Sequence, residues 1–207
     1  MNKIDEFWSW FKENNKAFLF SNSIDENIKE QLLNSFMVQL HKYCDKIYFE
    51  IGGFPDETQE LIITAEGDKK YFLKVEELIN AAPQIDNWIF VAFKPPISGD
   101  FKSKWGELEL NTEEMYFLPL SNNKTPGIGI RVYLKNHELL KENKTLMTLL
   151  YKMLDTILGE KSFASDVDYI DTDLLPDNAQ KENMYSILEL PEYIQWYKSQ
   201  KSQESIE

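Results

Sequence analysis

Between Ile47 and Pro96 the hydrophobic period of the chain switches from strand to helix and back, which constrains the fold more than any other feature. Tyr48-Phe49-Glu50-Ile51 is a short β-rich run, and Gly52-Gly53 with Phe54-Pro55-Asp56 supplies turn chemistry. Leu61-Ile62-Ile63-Thr64-Ala65 follows, rich in β-branched residues, as a strand buried on at least one face requires. After Glu66-Gly67-Asp68 the apolar residues Phe72, Val75, Leu78, Ile79 and Ala82 recur at helical spacing, so one helical face is apolar. Asp68 stands where a carboxylate accepts from the free N–H groups of a first turn. Pro83 lacks an N–H and closes the helix. Trp88 to Phe93 is a second apolar run, ended by Pro95-Pro96. The expectation is strand, strand, helix, strand, with the helix laid across a sheet.

Flanking segments read as helix before that stretch and as strand after it. Residues 4 to 15 carry Ile4, Phe7, Trp8, Trp10 and Phe11 on one broad side, an aromatic surface that must dock on something, ordinarily the protein's own core and less often a partner. Ser23 or Asp25 is placed to cap a second helix over residues 25 to 46, whose stripe is Ile28, Leu32, Phe36, Leu40, Tyr43 and Ile47. Past the loop from Ile97 to Lys104, three strands are expected: Trp105 to Leu110, Met115 to Leu120 and Ile128 to Leu134. Turn residues from Ser121 to Gly127 separate the last two, and such close spacing favours an antiparallel meander. Lys144 to Leu158 returns to helix, with Leu146, Leu149, Leu150, Met153, Leu154 and Ile157 on its buried side and Gly159 as the stop. Val167 to Leu174 reads as a last strand, Pro176 to Asn183 as loop, and Leu190 to Lys198 as a short helix opened by Pro191.

The string Ala65-Glu66-Gly67-Asp68, Val75 to Ile79, Ala82-Pro83, Trp88 and Ala92-Phe93-Lys94-Pro95-Pro96 resembles a family of uncharacterised bacterial proteins. Leu158-Gly159-Glu160 and Leu190-Pro191-Glu192-Tyr193 resemble the same family, so the likeness spans most of the chain. It implies a bacterial cytosolic protein and carries over no catalytic residue.

With 207 residues, one domain over 1–198 is expected, with a frayed tail at 199–207. A hydrophobic fraction of 43% and an aromatic fraction of 14% are those of a folded chain. The net charge of −13 repels phosphate backbones and anionic membranes, which disfavours nucleic acid and lipid as main ligands. A basic protein partner is compatible with it. Cys44 stands alone, so there is no disulfide framework and no cysteine-built zinc site. Neither the apolar core of a secretory signal nor an apolar run of about 18 residues is present, and cytoplasm is the expected location.

Few residues suggest chemistry. Asp166, Asp168, Asp171 and Asp173 alternate with Val167, Tyr169 and Ile170. In a strand, residues two apart share a face, so these carboxylates converge in pairs, as Ca²⁺ or Mg²⁺ requires. The competing reading is an edge strand guarded by charge. Glu66-Gly67-Asp68 lies at a strand-to-helix junction, where backbone N–H groups hold anions, but its carboxylates repel one and capping explains Asp68. His41 and His137 have no His or Cys at ligand spacing. Arg131 is the single arginine among 22 basic residues, a candidate for a ligand carboxylate and more simply for a fork on a neighbouring Asp or Glu. Trp8, Trp10 and Trp105 are the candidate partner-binding aromatics.

The expected fold is α+β, a mainly antiparallel sheet of about five to seven strands against long amphipathic helices. The leading expectation for function is a non-enzymatic, acidic cytosolic protein that binds another protein, immunity-type or regulatory. The other is a metal-dependent enzyme or small-ligand binder built on the carboxylates of 166 to 173. No cofactor is indicated, and the oligomeric state is open.

Overall fold

A computed structural model describes residues 2–19, 25–53, 58–106, 108–120, 125–135, 137, 144–177 and 183–204. The chain divides into two compact units, Met1–Lys94 and Pro95–Glu207, and the boundary falls at the Pro95-Pro96 stop.

The first unit opens with α1 (Lys3–Asn14), capped by the Asn2 side chain on the Asp5 N–H, and α2 (Glu26–Tyr43), capped by Asp25 on the N–H groups of Asn27 and Ile28. Ser23 and the Phe54-Pro55-Asp56 turn lie outside the described residues. Strands β1 (Tyr48–Gly52) and β2 (Gln59–Thr64) pair antiparallel. Helix α3 (Phe72–Asn80) then carries the chain over to β3 (Trp88–Ala92), parallel to β2. The expected strand, strand, helix, strand order is therefore present. The register sets Phe49, Ile63 and Ala92 side by side, with Ile51, Leu61 and Phe90 in the next row of the same face.

Aromatic residues of the helices cover that face. Phe36 meets Phe49 with ring centroids 4.0 Å apart, Trp8 meets Phe90 at 4.7 Å, and Phe11 meets Trp88 at 5.1 Å. Each fully buried ring contributes about 1.5–3 kcal/mol, so this cluster stabilises the unit substantially. Only part of the α2 stripe is buried. Phe36 and Leu40 are inside, whereas Ile28 is exposed one turn from the helix start. The step from β2 into α3 uses two left-handed residues, Glu66 (φ 50) and Gly67 (φ 81). Asp68 Oδ1 then accepts from Lys70 N at 3.1 Å, capping a single 3₁₀ turn, Lys69–Tyr71, that leads into α3.

The second unit has its own core. Strands β4 (Lys102–Trp105) and β5 (Leu108–Asn111) form a hairpin. Strands β6 (Tyr116–Leu120) and β7 (Ile128–Leu134) pair antiparallel, and helices α4 (Lys144–Leu158) and α5 (Glu160–Asp166) connect β7 to its parallel neighbour β8 (Val167–Leu174). The short β9 (Tyr185–Ser186) pairs with β6, and α6 (Leu190–Glu204) closes the chain. Leu146, Leu149, Leu150, Met153, Leu154 and Ile157 of α4 pack with Phe117, Ile130, Val132 and Leu134 of the sheet. Gly159 at φ 73 separates α4 from α5, a conformation that glycine adopts without a Cβ penalty.

Four expectations need correcting. Among the described residues the strands form three sheets, ordered β1-β2-β3, β4-β5 and β8-β7-β6-β9, and not one sheet of five to seven strands. Trp105 to Leu110 is not a single strand, because Gly106 adopts φ 63 and folds it into the β4–β5 hairpin. The helices are of ordinary length, with α2 at 18 residues and α4 and α6 at 15. Helix α6 also runs past Lys198 to Glu204.

Candidate functional site

The four aspartates do not come together. Asp166 ends helix α5, accepts from Ser162 Oγ at 2.8 Å and binds Lys198 Nζ at 2.9 Å. Asp168 sits at a bulge in β8, where its Oδ2 accepts from Gly127 N at 2.7 Å. Asp171 and Asp173 share a face of β8 as strand geometry requires, and both turn to Arg131 on β7, at 2.8 and 3.9 Å. The expected convergence holds for that second pair alone, and an arginine fills the place between them. Among the described residues no three His, Cys, Asp or Glu side chains are grouped to hold a metal ion. Strand β8 is an edge of its sheet, which matches the charge-guarded reading of these residues.

Arg131 has the fork partner the sequence suggests. Its Nε and Nη2 reach Asp171 Oδ2 at 2.9 and 2.8 Å. The pair holds the guanidinium charge even more firmly than usual, through the Asp171 bond first and Tyr133 second.

Of the candidate aromatics, Trp8 is buried, and its indole N–H donates to Leu78 O at 2.9 Å. Half-buried Trp10 meets Phe36 and Phe18 edge-on at 5.7 and 5.8 Å. Both rings serve the core of the first unit, because an apolar helix side packs on the nearest apolar sheet. Trp105 is exposed, with Lys152 Nζ 4.5 Å above its ring. His41 lies 3.2 Å from Ile47 O, and buried His137 lies 3.1 Å from Thr172 Oγ1.

A different set of residues forms a hollow of about 270 Å³ in the second unit, lined by Tyr185, Glu189, Glu192, Tyr193 and Trp196. Local structure explains how they meet. Ser186 and Glu189 form a capping box, in which Ser186 Oγ accepts from Leu188 N and Glu189 Oε2 accepts from Ser186 N at 2.7 Å. That box caps a 3₁₀ turn, Ile187–Glu189, which leads the chain from β9 into α6, with Tyr185 just before it. On α6, Glu192, Tyr193 and Trp196 fall three and four residues apart and so share one stripe, with Glu189 in the 3₁₀ turn just before it.

The rings are braced from below. Tyr185 stacks on Phe117 of β6 at 5.4 Å and meets Tyr193 at 5.5 Å, while Tyr193 meets Trp196 at 5.3 Å. Burial first, and the neighbouring Tyr185 and Tyr197 second, hold the Tyr193 phenol above its ordinary value, so it stays neutral. Trp196 is 54% exposed and offers an aromatic face to solvent. Three π systems beside two carboxylates make a site suited to a cation. In the sequence Glu192 and Tyr193 stand out only within the string Leu190-Pro191-Glu192-Tyr193, and none of the five residues is marked as a binding residue. The signal that finds them is Glu192, Tyr193 and Trp196 at one helical stripe, with Tyr185 and Glu189 just before it.

Among the described residues no helix is long and apolar enough to cross a membrane. Compared with known proteins, the chain matches no family model, no curated protein and no solved structure.

Proposed function

We propose that this chain is a cytoplasmic binding protein, immunity-type or regulatory, which captures a basic partner protein and catalyses no reaction of its own. The observation that carries the reading is the aromatic and acidic hollow at Tyr185, Tyr193 and Trp196. Its chemistry is recognition: rings and carboxylates hold a positive charge. A net charge of −13 adds long-range attraction for a basic surface. The single cysteine fits a reducing compartment.

Calorimetric titration of the full chain with a lysine- and arginine-rich peptide and a glutamate-rich one tests this. The basic peptide binds at low salt and weakens as salt rises, because exposed charges are screened beyond about 10 Å at 0.1 M. Equal binding of the acidic peptide, or no binding of the basic one, would overturn the reading.

A further inference from the structure

The hollow on α6 has a chemistry more selective than general attraction for positive charge, and the inference drawn from it rests on the binding function just proposed. We propose that it is the specificity pocket of this protein, and that its occupant is an arginine side chain projecting from the basic partner.

Two observations select arginine, and a third shows that a ring on this helix takes a cation. First, the site pairs flat rings with carboxylates. A guanidinium is planar, stacks on aromatic faces and donates through several N–H groups at once, whereas an ammonium is a compact and strongly hydrated point charge. Trp196 and Tyr193, with centroids 5.3 Å apart, supply the faces, and Glu192 supplies the acceptor beside them. Second, Glu189 is already fixed. Its Oε2 accepts from Ser186 N at 2.7 Å, which holds the carboxylate in place and leaves its other oxygen with acceptor capacity. Prearranged acceptors suit a rigid fork, because little side-chain freedom remains to be lost on binding. Third, the same helix already accommodates a cation on a ring one turn further on. Lys201 Nζ sits 4.8 Å above Tyr197 and donates to Pro126 O at 3.1 Å. The chain itself contains one arginine, Arg131, and that residue is bound to Asp171, so the expected occupant comes from another molecule.

The test uses the full chain and three peptides of one length, with arginine, lysine or neutral citrulline alternating with glycine, titrated by calorimetry at low salt. The arginine peptide binds about fivefold tighter than the lysine peptide, the scale of a partly exposed cation–π contact, and the citrulline peptide does not bind. Trp196→Ala and Glu192→Gln each lower affinity for the arginine peptide by about fivefold and erase its advantage over lysine. Trp196 and Glu192 are exposed, so both variants keep the wild-type melting curve, which is measured alongside. Equal wild-type affinity for the arginine and lysine peptides would overturn arginine as the occupant. Unchanged, salt-sensitive binding in both hollow variants would overturn the pocket while leaving the general binding function standing. Failure of every peptide to bind the wild type would overturn both.

Discussion

Arg131 on β7 reaches Asp171 on β8 through two of its nitrogens, at 2.9 and 2.8 Å, and so ties the edge strand to its parallel neighbour on the face away from Ile130 and Val132. Lysine cannot reproduce that fork. Arg131→Lys therefore lowers the unfolding midpoint, and the loss is smaller when Asp171→Asn is already present. A double-mutant cycle by thermal melting measures this coupling. In about 1 M sodium chloride, where charges are screened beyond about 3 Å, it shrinks. Coupling that ignores salt would assign the effect to the geometry of the hydrogen-bonded fork and not to its charge.

Gly127 has no room for a side chain. A Cβ there would lie 2.7 Å from Cγ and Oδ2 of Asp168 and 2.8 Å from the carbonyl oxygen of Asp166. Gly127→Ala costs about 1–3 kcal/mol by overpacking, read from the urea midpoint. Adding Asp168→Ala relieves the side-chain clash but leaves the Asp166 carbonyl in place, so stability does not return to the wild-type value. Full recovery in the double variant would contradict that backbone constraint.

Two buried tryptophans make opposite use of their indole N–H. Trp8 donates to Leu78 O, one of the carbonyls that the end of α3 leaves without an intrahelical donor. Trp88 Nε1 is buried and has no hydrogen-bond partner among the described residues. Replacement by phenylalanine removes similar ring area at both sites. Only Trp8→Phe also strands an acceptor, which adds roughly 1–3 kcal/mol to its cost. Denaturant titration of the two variants should rank Trp8→Phe as clearly the more damaging. The reverse order would show that cavity shape outweighs the bond.

Alkaline pH should expose the Tyr43 contact. Its hydroxyl lies 3.0 Å from Lys74 O and 3.1 Å from Glu77 Oε2. Burial first, and the Glu77 bond second, raise the phenol above its ordinary value of 10.0. A folded value above the unfolded one means that the contribution is complete below about pH 10 and is lost as pH rises past it. Tyr43→Phe costs about 1 kcal/mol at neutral pH. Its deficit against the wild type narrows as pH rises past about 10, measured by chemical denaturation across that range. A constant deficit would remove the phenol from the account. Glu77 behaves oppositely: Lys74 first and Tyr43 second hold it below the ordinary carboxylate range, so its share is lost only in acid.

What was legible in the sequence depended on local patterning. Tyr48 to Ala92 could be read because the period changes at Asp68 and Pro83, and β8 because Val167 to Leu174 is β-rich between helix and loop. Asp25 and Asp68 as caps, and Arg131 as the partner of an aspartate, follow from short-range chemistry in the same way. The three-way division of the strands was not legible, since β2–β3 and β7–β8 are parallel pairings across helices and β4–β5 turns on the φ of one glycine. Nor was the hollow, because Tyr185 reaches Tyr193 only through a capping box whose pairing with β6 is distant in the chain. That Trp8 docks inward follows from its aromatic helix side, but its partner Leu78 lies seventy positions away and is not legible in the sequence.

The bulge at Asp168 also sets where the length of the chain may drift. Val167 stands opposite Ile128 and Tyr169 opposite Gly129, so Asp168 has no counterpart on β7. Deleting it sacrifices the Gly127 bond but leaves every later pairing of β8 as it is. Deleting Ile170 instead slides Asp171 opposite Ile130 and Asp173 opposite Val132, so that two carboxylates turn to the core-facing side. Insertions and deletions along this edge are therefore absorbed at one residue, and beyond it β8 tolerates exchange of side chains but no change in their number.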